Sequence, residues 1–143
     1  MKRLSCLLLV VAVACVGPAR TDRVYEGKAV ETAKAVRSAI ETARLAADAA
    51  GEGNATVSYL SVVLGEAESD AGSASGAFDS IQPPSDRSEA LHETLAGVIG
   101  EAIDRLRDMR IVVRRSEPKE LPSIARQLTD LSRRLEAFVE EHE

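Results

Sequence analysis

Residues 121–138 read LPSIARQLTDLSRRLEAF, and this stretch decides the fold class. Its apolar residues recur at alternating steps of three and four, at Leu121, Ile124, Leu128, Leu131, Leu135 and Phe138. This spacing aligns them in one stripe along an α-helix, which is the pattern of a helix that packs against neighbouring helices. The stretch therefore predicts an amphipathic helix that needs partners.

Three more stretches, 29–50, 57–81 and 95–113, show the same periodicity, and turn-forming segments rich in glycine or proline separate the four. We predict helices over 22–50, 56–81, 86–115 and 119–142. Asn54 is expected to cap the second helix, Asp86 and Glu89 to form a capping box on the third, and Pro122 to lie in the first turn of the fourth.

Matched helices joined by short loops favour antiparallel neighbours. The prediction is an all-α domain over 22–143, an up-down-up-down antiparallel four-helix bundle. The alternative is a pair of helical hairpins that completes its core only in a dimer, and the sequence leaves the oligomeric state open.

The first residues have the pattern of a secretory signal. Lys2 and Arg3 precede an apolar stretch, 4–14, that is interrupted only by Ser5 and is too short to span a bilayer. The stretch ends in Ala12-Val13-Ala14-Cys15, which resembles the lipobox of bacterial lipoproteins, although Ala12 stands where leucine is usual. The resemblance implies a signal peptide over 1–14, a diacylglyceryl lipid on Cys15 and a tether over 15–21. It also makes the mature part similar to small helical-bundle lipoproteins.

Two other cleavage sites remain open. A conventional signal peptidase could cut after Ala14 or after Ala19, since small residues precede both positions at the required spacing. Under either reading the domain would be secreted without a lipid.

The charge balance argues against nucleic acid as a partner. Cleavage before Cys15 removes Lys2 and Arg3, two of the 18 basic residues, and none of the 23 acidic ones, so the net charge becomes −7. Nucleic-acid binding depends on a basic face that neutralises phosphates.

No catalytic or metal-binding pattern is evident. Glu89 and His92 form one Glu-x-x-His element, whereas di-iron bundles require two copies. Asp104 and Asp108 share a helix face, but Arg105, Arg107 and Arg110 surround them, which is typical of solvated ion pairs. We therefore expect no enzyme activity, no metal and no cofactor.

Two surfaces are candidate binding sites. Small residues of the second helix, Ser69, Gly72 and Gly76, predict either a close helix contact or a groove that admits a ligand. A basic cluster, Arg110, Arg114, Arg115 and Lys119, lies at the bundle end farther from Cys15. It either complements the dipole at the end of the third helix, together with Glu117 and Glu120, or binds an anionic protein or cell-wall polymer. The leading hypothesis is a lipid-anchored extracytoplasmic protein with a non-catalytic binding or structural role in the cell envelope. The alternative is a soluble secreted ligand carrier or sensor that uses the groove.

Overall fold

A computed structural model describes residues 19–143 of the chain. It contains four helices: α1 (Asp22–Gly51), α2 (Val57–Asp79), α3 (Asp86–Arg114) and α4 (Leu121–His142). A short 3-10 turn, Pro118–Glu120, precedes α4. The four predicted helices are confirmed, with each end within two residues of its expected position. Cys15 and the leader lie outside the described residues.

The helices form the predicted up-down-up-down bundle. α1 contacts each of the other three helices, and α3 contacts both α2 and α4, so α2 and α4 lie on opposite sides of the α1–α3 pair. Two hydrogen bonds show that α1 and α4 are antiparallel. Arg37 binds Glu136, while Glu41, one turn further along α1, binds Ser132, one turn back along α4.

The core closes within one chain. Buried side chains from all four helices belong to a single cluster, so the alternative with a core completed only in a dimer is not required. α1 contributes mainly fully buried alanines, whereas α3 and α4 contribute larger side chains such as Leu106, Met109, Leu128 and Leu135. Small residues on α1 let its neighbours pack closely around it.

Hydroxyl side chains cap the starts of α1, α2 and α3, which corrects two of the predicted caps. Thr56, not Asn54, caps α2 by accepting a hydrogen bond from the backbone N–H of Tyr59, at 3.2 Å. Ser85 caps α3 in the same way, so Asp86 is already the first helical residue and the predicted capping box with Glu89 is wrong. Both caps precede their helix in extended backbone, which is the geometry that an N-cap requires. Pro122 lies in the first turn of α4 as predicted.

The backbone N–H of Asn54 instead helps to end α1. It donates to the carbonyl of Ala49, while Gly53 adopts a φ of 75°. This is the arrangement in which a glycine in the left-handed region reverses the chain after a helix. α3 ends similarly, but there the positive φ, 59°, belongs to Ser116.

Candidate functional site

One end of the bundle, which we call the proximal end, contains the start of α1 and α3 and the end of α2 and α4. There Asp22, the first residue of α1, contacts the start of α3. Its Oδ1 accepts hydrogen bonds from the hydroxyls of Ser85 at 2.6 Å and Ser88 at 2.8 Å. These two hydrogen bonds lower the pKa of Asp22 below its usual value. The N-cap of α3 is thereby joined to the first turn of α1.

A hydrogen-bonded aromatic cluster lies beside Asp22. The hydroxyl of Tyr25 is 2.7 Å from Nδ1 of His92, and Nε2 of His92 lies 3.5 Å from a carboxylate oxygen of Asp79. The rings of Phe78 and His92 are stacked, with centroids 5.1 Å apart, and Tyr25 lies against Phe78. With a proton on Nε2, the His92 ring can accept from the Tyr25 hydroxyl at Nδ1 and donate toward Asp79 at Nε2.

This cluster fastens α1, α2 and α3 together at the proximal end. Tyr25 and Phe78 are essentially fully buried, and burial, followed by the charge of Asp79, raises the pKa of the Tyr25 hydroxyl. Because the Tyr25 side chain is buried, its hydroxyl is available to His92 inside the bundle and not to a ligand at the surface. The sequence carries one weak signal for this cluster, since Tyr25, Phe78 and His92 each lie within two turns of a predicted helix end that belongs to the proximal end.

The two aspartates that share a face of α3 form the ion pairs that the sequence predicts. Asp104 pairs with Arg107 and Asp108 with Arg105, both at under 3 Å on the surface of α3. Within residues 19–143, no group of three or more His, Cys, Asp or Glu side chains is arranged to hold a metal ion.

The candidate groove residues occupy the outer surface of α2. Ser69, Gly72 and Gly76 are exposed, and a Cβ added to either glycine would meet no atom within 4 Å. The close approach expected at these glycines is therefore wrong, because Ala67 and Ala71 form the buried side of α2 instead. None of the three residues lines either of the two clefts described below.

A cleft between α1 and α2 does exist, but nearer the proximal end. It has a volume of about 350 Å³ and a mostly apolar lining, to which Ala35, Ala74, Ala77, Phe78 and Ile81 contribute. A larger cleft, about 640 Å³, lies at the start of α1, and its lining includes the ion pairs of Glu26 with Arg87 at 3.7 Å and of Glu31 with Lys34 at 3.6 Å, together with Arg23.

The opposite, distal end contains three of the four predicted basic residues. Arg114, Arg115 and Lys119 are exposed, and no carboxylate among the described residues lies within 4 Å of their charged nitrogens. Glu117 and Glu120 are exposed in the same loop.

Arg110 does not belong with these three residues. Its guanidinium holds Glu68 of α2, with the longer of the two hydrogen bonds at 3.3 Å, and its side chain is only 28% exposed. This contact raises the pKa of Arg110, and the Arg110 hydrogen bond lowers the pKa of Glu68. Arg110 is therefore a link between α2 and α3, and the basic tip consists of Arg114, Arg115 and Lys119.

None of the described helices has the length and apolar character needed to cross a membrane. Comparison of the chain with protein-family models, curated proteins and solved structures finds no match. The function is therefore argued from the arrangement of side chains.

Proposed function

We propose that this protein is a non-catalytic binding protein of the cell envelope, anchored by a lipid on Cys15, which presents its basic tip to an anionic protein or wall polymer. The observation that carries the proposal is the tip itself. Arg114, Arg115 and Lys119 are three exposed cations in and beside one short loop, and none has a carboxylate within 4 Å in the described part of the chain. Cations without internal partners are available to an external anion.

The geometry of the bundle suits an anchor at the opposite end. α1 begins at Asp22, so residues 15–21 would form a tether that reaches about 25 Å at most. α3 has 29 residues and is about 43 Å long at ~1.5 Å per residue. An anchored domain that stands upright would hold the tip roughly 40 Å from the membrane surface.

Acidic residues support the upright orientation. In the described part of the chain, seven acidic residues lie at or near the helix ends that form the proximal end, against four basic ones, so the net charge of this end is negative. The acidic residues are Asp22, Asp79, Asp86, Glu89, Glu140, Glu141 and Glu143, and the basic ones are Arg20, Arg23, Lys28 and Arg87. An anionic leaflet repels such a surface within about one Debye length, ~8 Å at physiological salt. Repulsion at the base disfavours a domain that lies flat.

The anchor and the tip are tested separately. Intact mass of the protein from its own membranes should show a chain that starts at Cys15 with a diacylglyceryl adduct, and Cys15→Ser should release the protein from the membrane. A chain that starts at Arg20 without lipid would refute the anchor.

For the tip, purified full-length protein is sedimented with isolated cell-wall material. The triple variant R114Q/R115Q/K119Q should lose the association, whereas R20Q/R23Q/K28Q should keep it. The control removes two arginines and one lysine that are equally exposed and also without a carboxylate within 4 Å. Equal loss in both variants would mean that only the overall charge matters, and retention in both would refute the tip.

The carrier hypothesis keeps one supporting observation, the apolar cleft between α1 and α2. A carrier would use Ala35, Ala74 and Ala77 rather than Ser69, Gly72 and Gly76. Native mass of the purified protein should then show a retained small molecule, and Ala77→Leu, which narrows the cleft, should remove it. A bare chain in both proteins would count against the carrier.

A further inference from the structure

A continuous part of the chain contains no basic residue. Between Arg44 and Arg87 there is neither lysine nor arginine, while the acidic residues of this part are Asp48, Glu52, Glu66, Glu68, Asp70, Asp79 and Asp86. The whole of α2 and the last turns of α1 belong to this part. The charge of the bundle is therefore uneven around its circumference, and the side formed by α2 is purely acidic.

Helical periodicity brings several of these residues into one line. Tyr59 and Ala77 are 18 residues apart, which is five full turns and about 27 Å, so they face the same direction. Glu66 and Asp70 lie between them on the same side of the helix, and Val62 lies beside Tyr59. All five residues are exposed, with 52% of Tyr59 and 58% of Val62 accessible.

One end of this line meets the neighbouring helix, because Ala77 borders the apolar cleft between α1 and α2. The other end carries the two exposed apolar side chains, Tyr59 and Val62. We call this surface the α2 face, defined by Tyr59, Val62, Glu66, Asp70 and Ala77.

The two carboxylates at the centre of the α2 face have no cation of their own. Within residues 19–143, no basic nitrogen lies within 4 Å of Glu66 or Asp70. Glu68, on the flank toward α3, is by contrast held by both Arg110 and Arg107. The α2 face thus has two unpaired negative charges with exposed apolar side chains on both sides of them.

We propose that the α2 face docks a basic amphipathic helix of a partner protein, which places cations on Glu66 and Asp70 and apolar side chains on Tyr59 and Ala77. Charge selects this occupant. A second copy of the chain would bring its own α2 face, and two acidic centres would repel each other. An amphipathic helix with the opposite charge meets both the apolar ends and the acidic centre.

This surface is separate from the basic tip of the proposed function. It lies along the side of the bundle, has the opposite charge and calls for a different partner. Its test is therefore independent of the lipid anchor and of the anionic ligand.

The probe is a helical peptide rich in alanine and glutamine that carries Leu, Lys, Lys and Leu at the spacing of Tyr59, Glu66, Asp70 and Ala77. Since that spacing of seven, four and seven is symmetric, the peptide matches the face in either direction. A second peptide with Glu in place of both Lys is the matched control. Full-length protein purified from its own cells is titrated with each peptide at low salt, and the peptide without protein gives the background.

The expected result is saturable binding of the Lys peptide alone. E66Q/D70N should weaken it about three- to tenfold, because two exposed ion pairs are lost. E89Q/E93Q should leave it unchanged, since these two carboxylates are also exposed, four residues apart and without an ion pair, but lie on α3. Y59S/V62S should weaken binding as well, and circular dichroism should show all variants folded.

Several outcomes would overturn the proposal. Absence of saturable binding would do so, as would equal weakening by E66Q/D70N and E89Q/E93Q, which would indicate only general attraction to an acidic protein. A native mass that shows a dimer dissociated by Y59S/V62S would mean that a second copy covers the α2 face.

Discussion

The glycines on the outer side of α2 provide the sharpest test of the fold. Gly72 and Gly76 lie inside the helix, are exposed, and have no atom within 4 Å of the position that a Cβ would take. Alanine at either position therefore adds no steric clash, while it removes the extra backbone freedom of glycine in the unfolded chain. Each substitution should raise the free energy of unfolding by about 1 kcal/mol.

The double variant G72A/G76A should then gain about 2 kcal/mol, because neither added Cβ meets another atom of the bundle. For a domain of this size, each kcal/mol corresponds to roughly 3–5 °C in Tm. Urea unfolding followed by circular dichroism measures the change, and an unchanged m-value would show that stability alone has changed.

Gly53→Ala is the matched control with the opposite sign. Its Cβ would also meet nothing within 4 Å, but Gly53 has a φ of 75°, where an L residue is strained by about 1 kcal/mol. Stability should therefore fall. If G72A/G76A were neutral or destabilising, these positions would not be free helical surface and the orientation of α2 would be refuted. A stabilising Gly53→Ala would refute the assigned turn.

Three further substitutions test other parts of the bundle. Ser116→Gly should stabilise by about 1 kcal/mol, because Ser116 occupies a left-handed position with a φ of 59°; a melt that shows no gain would count against that turn. Leu106→Ala should cost about 3 kcal/mol in urea unfolding because Leu106 is fully buried, whereas Leu45→Ala at an exposed site should change little; similar losses would contradict the core assignment. Glu68→Gln should reduce the loss of unfolding free energy that occurs as the pH falls below about 5. The hydrogen bond from Arg110 lowers the pKa of Glu68 in the folded state. The stabilisation from Glu68 is therefore present above its ordinary pKa of 4.5 and is lost as the pH falls through the folded-state pKa. Equal slopes for wild type and variant between pH 5 and 3 would refute it.

Some details of the surface were available from the sequence and were missed. Ser69 follows the buried Ala67 by two residues, or about 200° around the helix, so its outward position follows from the same periodicity that identified the core. The absence of lysine and arginine between Arg44 and Arg87 is equally visible in the sequence. Only the structure shows that Glu66 and Asp70 of α2 are exposed and that no basic nitrogen of α1 or α3 lies within 4 Å of them.

The sequence by itself determined the four helices, their ends within two residues and their antiparallel order. These features depend on local causes, namely apolar spacing, breaks at glycine and proline, and loops too short to allow another arrangement. Only the tertiary structure decided which side chains meet. Some side chains that are hydrogen-bonded in the bundle are far apart in the chain. Tyr25 and His92 are separated by 67 residues, Asp22 and Ser88 by 66, and Glu68 and Arg110 by 42. Such contacts depend on the rotation and axial shift of each helix against its neighbours, which the packing of all four apolar stripes sets together.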